Sequence, residues 1–274
     1  MMAPMPPANA LHIARDCARE AGRIARDAFR QPQRIETKGR GNLVTETDYE
    51  IERFLHETFR REFPDHGIMS EETASDAPLD GWVWVIDPLD GTKNFASGIP
   101  FFCVNIALCY DGLPVVAATY DPNHGECFSA ERGKGAFVNG EAIHASSKAN
   151  VEQSILGVDI GYDNDRGRAV LELVNKLFPQ MQGLRIQGSA ALGLAYASCG
   201  RYDLFVHRYL FPWDIAAGIL LVEEAGGKIT DEAGHPVDVT SQTAVAGGVQ
   251  VHGDFLRWQR EHRYQLDLFT VMPD

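Results

Sequence analysis

The stretch WVIDPLDGT, residues 84–92, sets Asp87 and Asp90 three positions apart across a proline, directly after an apolar run and directly before Gly91 and Thr92. An apolar strand carries its last side chain to the rim of a sheet, and Pro88 and Gly91 predict a tight turn there that aims several groups at one point. Two carboxylates held that close repel, and a shared site raises one pKa strongly unless a cation or a proton lies between them. A divalent cation is the simplest partner. Other acids stand beside turns: Glu71 and Glu72 in SEET, Asp48 at a helix start, and Asp214 straight after Trp213. With the carbonyl of Leu89, every candidate ligand is oxygen, a donor set that selects Mg²⁺, Ca²⁺ or Mn²⁺ over zinc. Singly, each motif has a plainer reading. Asp-Pro and Asp-Gly are everyday turn residues, a glutamate pair is usually a solvated surface, and an aspartate opening a helix is usually a cap. Acids recurring at strand ends and helix starts in four separate segments are what point to a metal site.

Those acids need elements to hold them. Residues 10–29 put Leu11, Ala14, Ala18, Ala21, Ile24, Ala25 and Ala28 on one helical face. TETDYEIERFLHETFRREFP predicts a second helix, with Ile51, Phe54, Leu55 and Phe59 on one face, a capping box between Thr47 and Glu50, and Pro64 as its end. Asp48 then falls in the first turn, where an anion is tolerated. From Trp82 onward, WVWVID, FFCVNIALCY, LPVVAATY and ECFSA, separated by Asp111-Gly112 and DPNHG, predict a largely antiparallel sheet. Asn139-Gly140 marks a hairpin. Beyond it the pattern alternates: strand SILGVDIG, helix DRGRAVLELVNKLF, a helix over 189–198, strand YDLFVH, and helix DIAAGILLVEEAGG, closed by two glycines. No repeat or low-complexity linker interrupts the chain. The expectation is one catalytic unit with an N-terminal α+β sub-domain over 9–150 and a C-terminal α/β sub-domain over 151–265.

Composition narrows the function classes. A chain of 274 residues, 45% of them hydrophobic, can bury a full core. A net charge of -13 and a pI near 5.1 argue against broad contact with nucleic acid, which draws on clustered Lys and Arg. Five cysteines without a C-x-x-C pair fit reduced thiols in a cytoplasmic enzyme. The start, MMAPMPPANA, has neither a basic n-region nor a long apolar stretch, so it reads as a proline-rich tail, and no membrane contact is expected.

LDGT is similar to the D-x-D-G-T loop of haloacid-dehalogenase-like phosphatases, in which the first aspartate is the nucleophile. Here that position is Pro88, which offers none. A longer match spans nearly the whole chain: GNLVTETD, SEET, WVIDPLDGTKNF and PWDIAAGILLVEEAGG closely resemble, in that order, the signatures of the inositol monophosphatase family of Mg²⁺-dependent phosphatases, with RGKGAFVNG and QGSAALGLAYASCGRYD as weaker matches between them.

That resemblance implies two or three Mg²⁺ ions held by Glu71, Asp87, the carbonyl of Leu89, Asp90 and Asp214. It implies catalytic parts for Glu71, Thr92 and Asp48, with Lys38 near the entrance, and in-line attack of metal-activated water on phosphorus without a covalent intermediate. Substrate contacts are expected from Asp90, Gly91, Thr92, Ser189, Ala190, His207 and Asp214, the backbone N–H groups of Gly91 and Thr92 and the helix start at Asp214 facing the phosphate. Gly188, Ser189, Ala190 and Ala191 are small, as room for a polyol requires. Three positions depart from the family pattern. Ser70 replaces a usual glycine, Ser189 a common threonine, and His207 stands where many inositol-specific members carry an acid that binds ring hydroxyls. The last change removes an acceptor pair and leaves at most one ring-nitrogen acceptor; the plainer reading of His207 is a half-exposed strand histidine.

The fold that the resemblance implies is an α+β/α/β layered sandwich, alternating helix and sheet, antiparallel in the first half and mixed in the second. The activity it implies is hydrolysis of a small phosphorylated metabolite, first inositol 1-phosphate, by a cytoplasmic enzyme that the resemblance makes a homodimer. Histidinol phosphate and fructose 1,6-bisphosphate are alternatives on the same scaffold, to be told apart at a rim formed by His207, Arg208 and Arg185. A binding or regulatory protein is the reading from another class.

Overall fold

The computed structural model of the chain describes residues 4–32, 34–39, 42–73 and 76–262; the expected end of the second sub-domain at 265 and the first three residues of the proline-rich start lie outside them. Helix α1 (Ala10–Ala28) buries Ala14, Ala18, Ala21 and Ala25, a stripe narrow enough for the helix to lie close on a sheet. Strands β1 (Ile35–Gly39) and β2 (Asn42–Thr45) pair antiparallel, and β2 runs straight into α2 (Glu46–Glu62). The capping box is therefore made by Thr45 and Asp48 and not by Thr47 and Glu50. Asp48 accepts from the Thr45 backbone N–H at 2.9 Å and from its hydroxyl at 2.5 Å.

Seven strands follow in spatial order β3 (Gly67–Ser70), β4 (Trp82–Asp90), β5 (Cys103–Tyr110), β6 (Leu113–Asp121), β7 (Glu126–Glu131), β8 (Ala136–Val138) and β9 (Glu141–Ala142), with a short helix α3 (Thr92–Ala96) between β4 and β5. Only β3 runs parallel to its neighbour. Asn139 and Gly140 turn the β8–β9 hairpin, both at positive φ. Both faces of this sheet are covered, so β4 alternates between two apolar destinations. Trp84 and Ile86 face α1 and α2, with Phe59 stacked 4.2 Å from Trp84, while Val83 and Val85 face helices from the second half.

The second half gives β10 (Ile155–Val158), α4 (Asn164–Leu177), β11 (Gly183–Ile186), α5 (Ala190–Ser198), β12 (Leu204–His207), α6 (Pro212–Glu224), β13 (Lys228–Thr230), β14 (Ala244–Gly247) and α7 (Val249–Glu261). Its five-stranded sheet, order β11-β10-β12-β14-β13, is parallel on one side of β12 and antiparallel on the other. Helices α5 and α6 are apolar all round, which is stable only where every side is buried. They lie between the two sheets: one apolar cluster joins Val83, Val85 and Ala107 of the first to Phe205, Ala244 and Ala246 of the second through Leu194, Ile215, Ile219 and Leu220. On the far face, Val170, Leu173 and Phe255 of α4 and α7 pack on Leu156, Val206 and Val245. The architecture is thus the alternation of helix and sheet layers that the family resemblance implies, with an antiparallel-dominated sheet first and a mixed sheet second.

Candidate active site

Asp87 and Asp90 would point to opposite faces of a regular strand, since side chains alternate. Pairing with β5 runs to Asp87↔Asn105 and resumes at Asp90↔Cys103, three steps on β4 against two on its partner. The extra residue is a bulge that re-aims one aspartate, and Pro88, which has no N–H for the ladder, sits within it. The tight turn expected at Pro88 is therefore a bulge in a strand that continues to Asp90, and the turn begins at Gly91, whose φ is +92°. A Cβ there would meet the Phe101 carbonyl oxygen at 3.0 Å and the Phe102 Cα at 3.2 Å. Gly91→Ala should lower stability by about 1–3 kcal/mol, read as a fall in the urea midpoint at unchanged m.

The bulge brings Asp87 and Asp90 together with Asp214, one carboxylate oxygen from each within 4.8 Å of the other two; Asp87 and Asp90 are buried and Asp214 half-buried. Each is aimed by donors from its own surroundings. Asp87 accepts from the Leu89 N–H at 3.0 Å. Asp90 lies at the start of α5, where it accepts from the Ser189 hydroxyl and from the N–H groups of Ala191 at 2.9 Å and Ala190 at 3.3 Å. Asp214, in the first turn of α6, accepts from the Phe211 N–H at 2.7 Å. Burial pushes all three carboxyls up, and mutual repulsion, with Glu71 contributing, pushes Asp87 and Asp214 further. Among the described residues no Lys, Arg or His forms an ion pair with any of the three; the neighbouring Lys38 is 3.6 Å from Glu71 and pairs with Glu72. Close, oriented oxygens that destabilise one another are what a hard divalent cation relieves, so the residues fit Mg²⁺.

Glu71 stands on the turn after β3, its carboxyl pushed up to about 8 by burial and then by Glu72. The Thr92 hydroxyl lies 3.2 Å from Asp48 Oδ1 and 3.0 Å from the Leu89 carbonyl oxygen. A cavity of about 510 Å³ opens over these groups. Of the sequence-predicted residues, Lys38, Glu71, Asp87, Leu89, Asp90, Gly91, Thr92, Gly188, Ser189, Ala190, His207 and Asp214 line it. Asp48 does not: fully buried behind Thr92, it is pushed up to about 6 by burial against its hydrogen bonds from Thr45 and Thr92. Ala191 is likewise no wall of the cavity and meets the site through its N–H on Asp90. The expected rim of His207, Arg208 and Arg185 is not assembled. Between 207 and 213 alternate residues face the cavity, so Arg208 is turned inward onto Glu232, while Arg185 lies on the exposed edge strand β11. His207 itself is 5% exposed and not half-exposed, because both faces of its sheet are covered.

Three residues that hold the site escaped the sequence reading. Buried Glu52 accepts through one oxygen from the Ser70 hydroxyl and from the N–H groups of Glu72 at 3.2 Å and Thr73 at 3.1 Å, fixing the turn that carries Glu71. The signal was present, since Glu52 shares the apolar stripe of Leu55 and Phe59. Asn94 Nδ2 ties α3 to the carbonyls of Phe101 at 2.7 Å and Gln187 at 2.6 Å. Asp159 accepts from the Gly188 N–H at 2.6 Å and is pushed up to about 7 by burial. Neither of these two carried a spacing cue, because their partners are distant backbone.

The sequence model described as the inositol monophosphatase family matches residues 7–264. The chain is 39% identical to inositol monophosphatase 1 of Solanum lycopersicum over 243 residues, 86% of this chain and 89% of that protein. It is also 39% identical to the Nus factor SuhB of Escherichia coli over 245 residues, 88% and 92% of the two. Among solved structures, an IMPase from Thermotoga maritima superposes with a TM-score of 0.84 at 32% identity, covering 94% of this chain and all of that one. Since the family match begins before α1 and runs past the end of α7, and the relatives align along nearly their full lengths, the chain belongs to the inositol monophosphatase family and is a phosphoric monoester hydrolase of that type.

Proposed function

We propose that the chain is a Mg²⁺-dependent phosphomonoesterase of small phosphorylated alcohols, with inositol 1-phosphate and related polyol phosphates the first esters to assay. The observation that carries this is the all-oxygen cluster of Asp87, Asp90 and Asp214 within 4.8 Å, beside a cavity of about 510 Å³. Those three would hold one ion, and Glu71 with the Leu89 carbonyl would complete the set for one or two more. Bound there, Mg²⁺ supplies charge to balance the phosphoryl oxygens and a Lewis acid that makes water a nucleophile at neutral pH. Thr92, backed by Asp48, orients the attacking water, and Glu71 accepts its proton as the ester P–O bond breaks in line. Gly91 and Thr92 present backbone to the phosphate. Ser189 and Ala190 act through Asp90, and Lys38 steadies the glutamate pair. Phosphate release from inositol 1-phosphate, histidinol phosphate and fructose 1,6-bisphosphate, with and without Mg²⁺, tests the reading; turnover independent of metal, or on none of the three, would overturn it.

Glu52 serves this chemistry by position. Glu52→Ala should raise the Mg²⁺ concentration for half-maximal rate about 10- to 100-fold, because Glu71 loses the turn that aims it. Glu52→Gln, which keeps an acceptor oxygen, should shift it less.

The family resemblance supports a homodimer working as one catalytic unit from the 9–150 and 151–265 segments, and the free cysteines support a cytoplasmic setting. No helix among the described residues is long and apolar enough to cross a membrane. A second reading, a binding role beside catalysis, is favoured by the identity to a protein named as a Nus factor. Partners retained by an inactive Asp90→Asn variant in pull-downs would support it. The charge of -13 supports a protein partner over nucleic acid.

A further inference from the structure

One wall of the cavity is aromatic. His207, Tyr209, Phe211 and Trp213, every second residue from the end of β12 into α6, all line the cavity, and Tyr162 joins them. Tyr209 meets Phe211 edge-on at 5.3 Å, Phe211 stacks on Trp213 at 5.1 Å, and Tyr162 meets Tyr209 edge-on at 6.4 Å. These rings form one continuous aromatic wall.

Within it the polar atom of interest is on His207. The Tyr209 backbone N–H donates to His207 Nδ1 at 3.1 Å. A backbone N–H can only donate, so Nδ1 is unprotonated and the neutral ring carries its proton on Nε2. Burial pushes the imidazole down to about 4, so the ring is neutral at physiological pH. Among the described residues nothing hydrogen-bonds Nε2. The single acceptor allowed from sequence is thus already used, and what His207 has left for a ligand is one N–H donor. Asp159, the acid that also lines the cavity, is turned to the backbone of the 187–189 loop and does not replace the missing acceptors. Each hydroxyl of a polyol brings a proton that needs an acceptor when buried, whereas a pyridine-type ring nitrogen brings only a lone pair.

We propose that His207 selects the alcohol by donating its Nε2–H to an acceptor on a flat ring packed against Tyr209 and Phe211. The preferred phosphomonoester then carries on its alcohol a neutral six-membered heteroaromatic ring whose nitrogen is an acceptor only, such as a pyridine. This deepens the phosphatase reading and rests on it.

Two near-isosteric esters test it: pyridinylmethyl phosphate, whose ring nitrogen is an acceptor, and benzyl phosphate, which has a C–H there, with inositol 1-phosphate as reference. At a pH where pyridine is unprotonated, the wild-type enzyme with Mg²⁺ should favour the pyridinyl ester over the benzyl ester in kcat/KM by about three- to tenfold, as one well-placed neutral hydrogen bond allows. For at least one placement of the ring nitrogen the preference should also exceed that for inositol 1-phosphate. His207→Phe, which keeps a flat ring and removes the donor, should bring the pyridinyl-to-benzyl ratio to about one. His207→Glu should move the order towards inositol 1-phosphate. A wild-type ratio of one at every ring position, or a ratio that survives His207→Phe, overturns the proposal while leaving the phosphatase reading intact. The wild-type comparison decides even if the variants fail to fold. No hydrolysis of any of the esters would sink the phosphatase reading and this one with it.

Discussion

Asp90→Asn and Asp214→Asn should each lower kcat/KM at a fixed, physiological Mg²⁺ concentration by on the order of 10³-fold, because positioning a Lewis acid contributes several kcal/mol to the transition state. Asparagine keeps the shape of either side chain and removes its charge. At Asp214 the Phe211 N–H still finds a carbonyl oxygen, so the local helix start survives and the loss falls on the metal. At Asp90 the Ser189 hydroxyl and two backbone N–H groups all donate to the carboxylate. The amide NH₂ cannot accept from them, so this variant should lose activity and also loosen the start of α5. Steady-state kinetics across a Mg²⁺ titration check both; a variant that regains full rate at higher metal has lost affinity only, and one within tenfold of wild type at every concentration contradicts the assignment of that residue.

Mg²⁺ at a hundred times its dissociation constant should raise the stability of the metal-free protein by about 2.7 kcal/mol, which for a domain of this size is about 5–10 °C in Tm. The pH dependence has a definite sign. Burial and repulsion hold Asp87 and Asp214 well above the ordinary carboxylate range and push Glu71 up to about 8. A carboxyl whose pKa is raised by folding binds its proton more tightly in the native state. Its ionisation therefore costs stability as pH rises from the unfolded value near 4 through the folded value. The metal-free protein should thus lose stability between about pH 4 and pH 8 from these groups, and the increment from Mg²⁺ should be larger at the upper end, where no proton has to leave. Asp87→Asn should raise the metal-free Tm, abolish most of the Mg²⁺ increment and remove activity. Thermal unfolding at both ends of that pH range, with and without metal, reads all of this; a metal-free Tm that climbs with pH would contradict the cluster.

Helix α1, the strands from Trp82 to Ala130 and the core of α6 were legible because their apolar residues repeat at the period of the element they form, and period is a local property. The acids at Glu71, Asp87, Asp90 and Asp214 were legible as a set through the resemblance of four motifs in order. Where neighbours beyond the next few residues decide the outcome, the reading fell short. Thr45 replaced Thr47 in the cap because β2 runs into α2 without a loop. Pro88 became a bulge because β5 pairs on both sides of it. Glu52, Asn94 and Asp159 went unseen because each meets partners far away in the chain.

The amino-acid sequence by itself determined which residues alternate, which helices must be buried on all sides, and that oxygen ligands of one charge gather near a phosphate-sized problem. Only the tertiary structure decided that Asp87 and Asp90 converge with Asp214, that Asp48 lies behind Thr92, and that His207 lines the cavity with its Nδ1 taken by the Tyr209 N–H. The reason is one of range. Periodicity and charge are written along the chain, whereas the direction of a side chain and the proton it carries are set by whatever backbone packs against it.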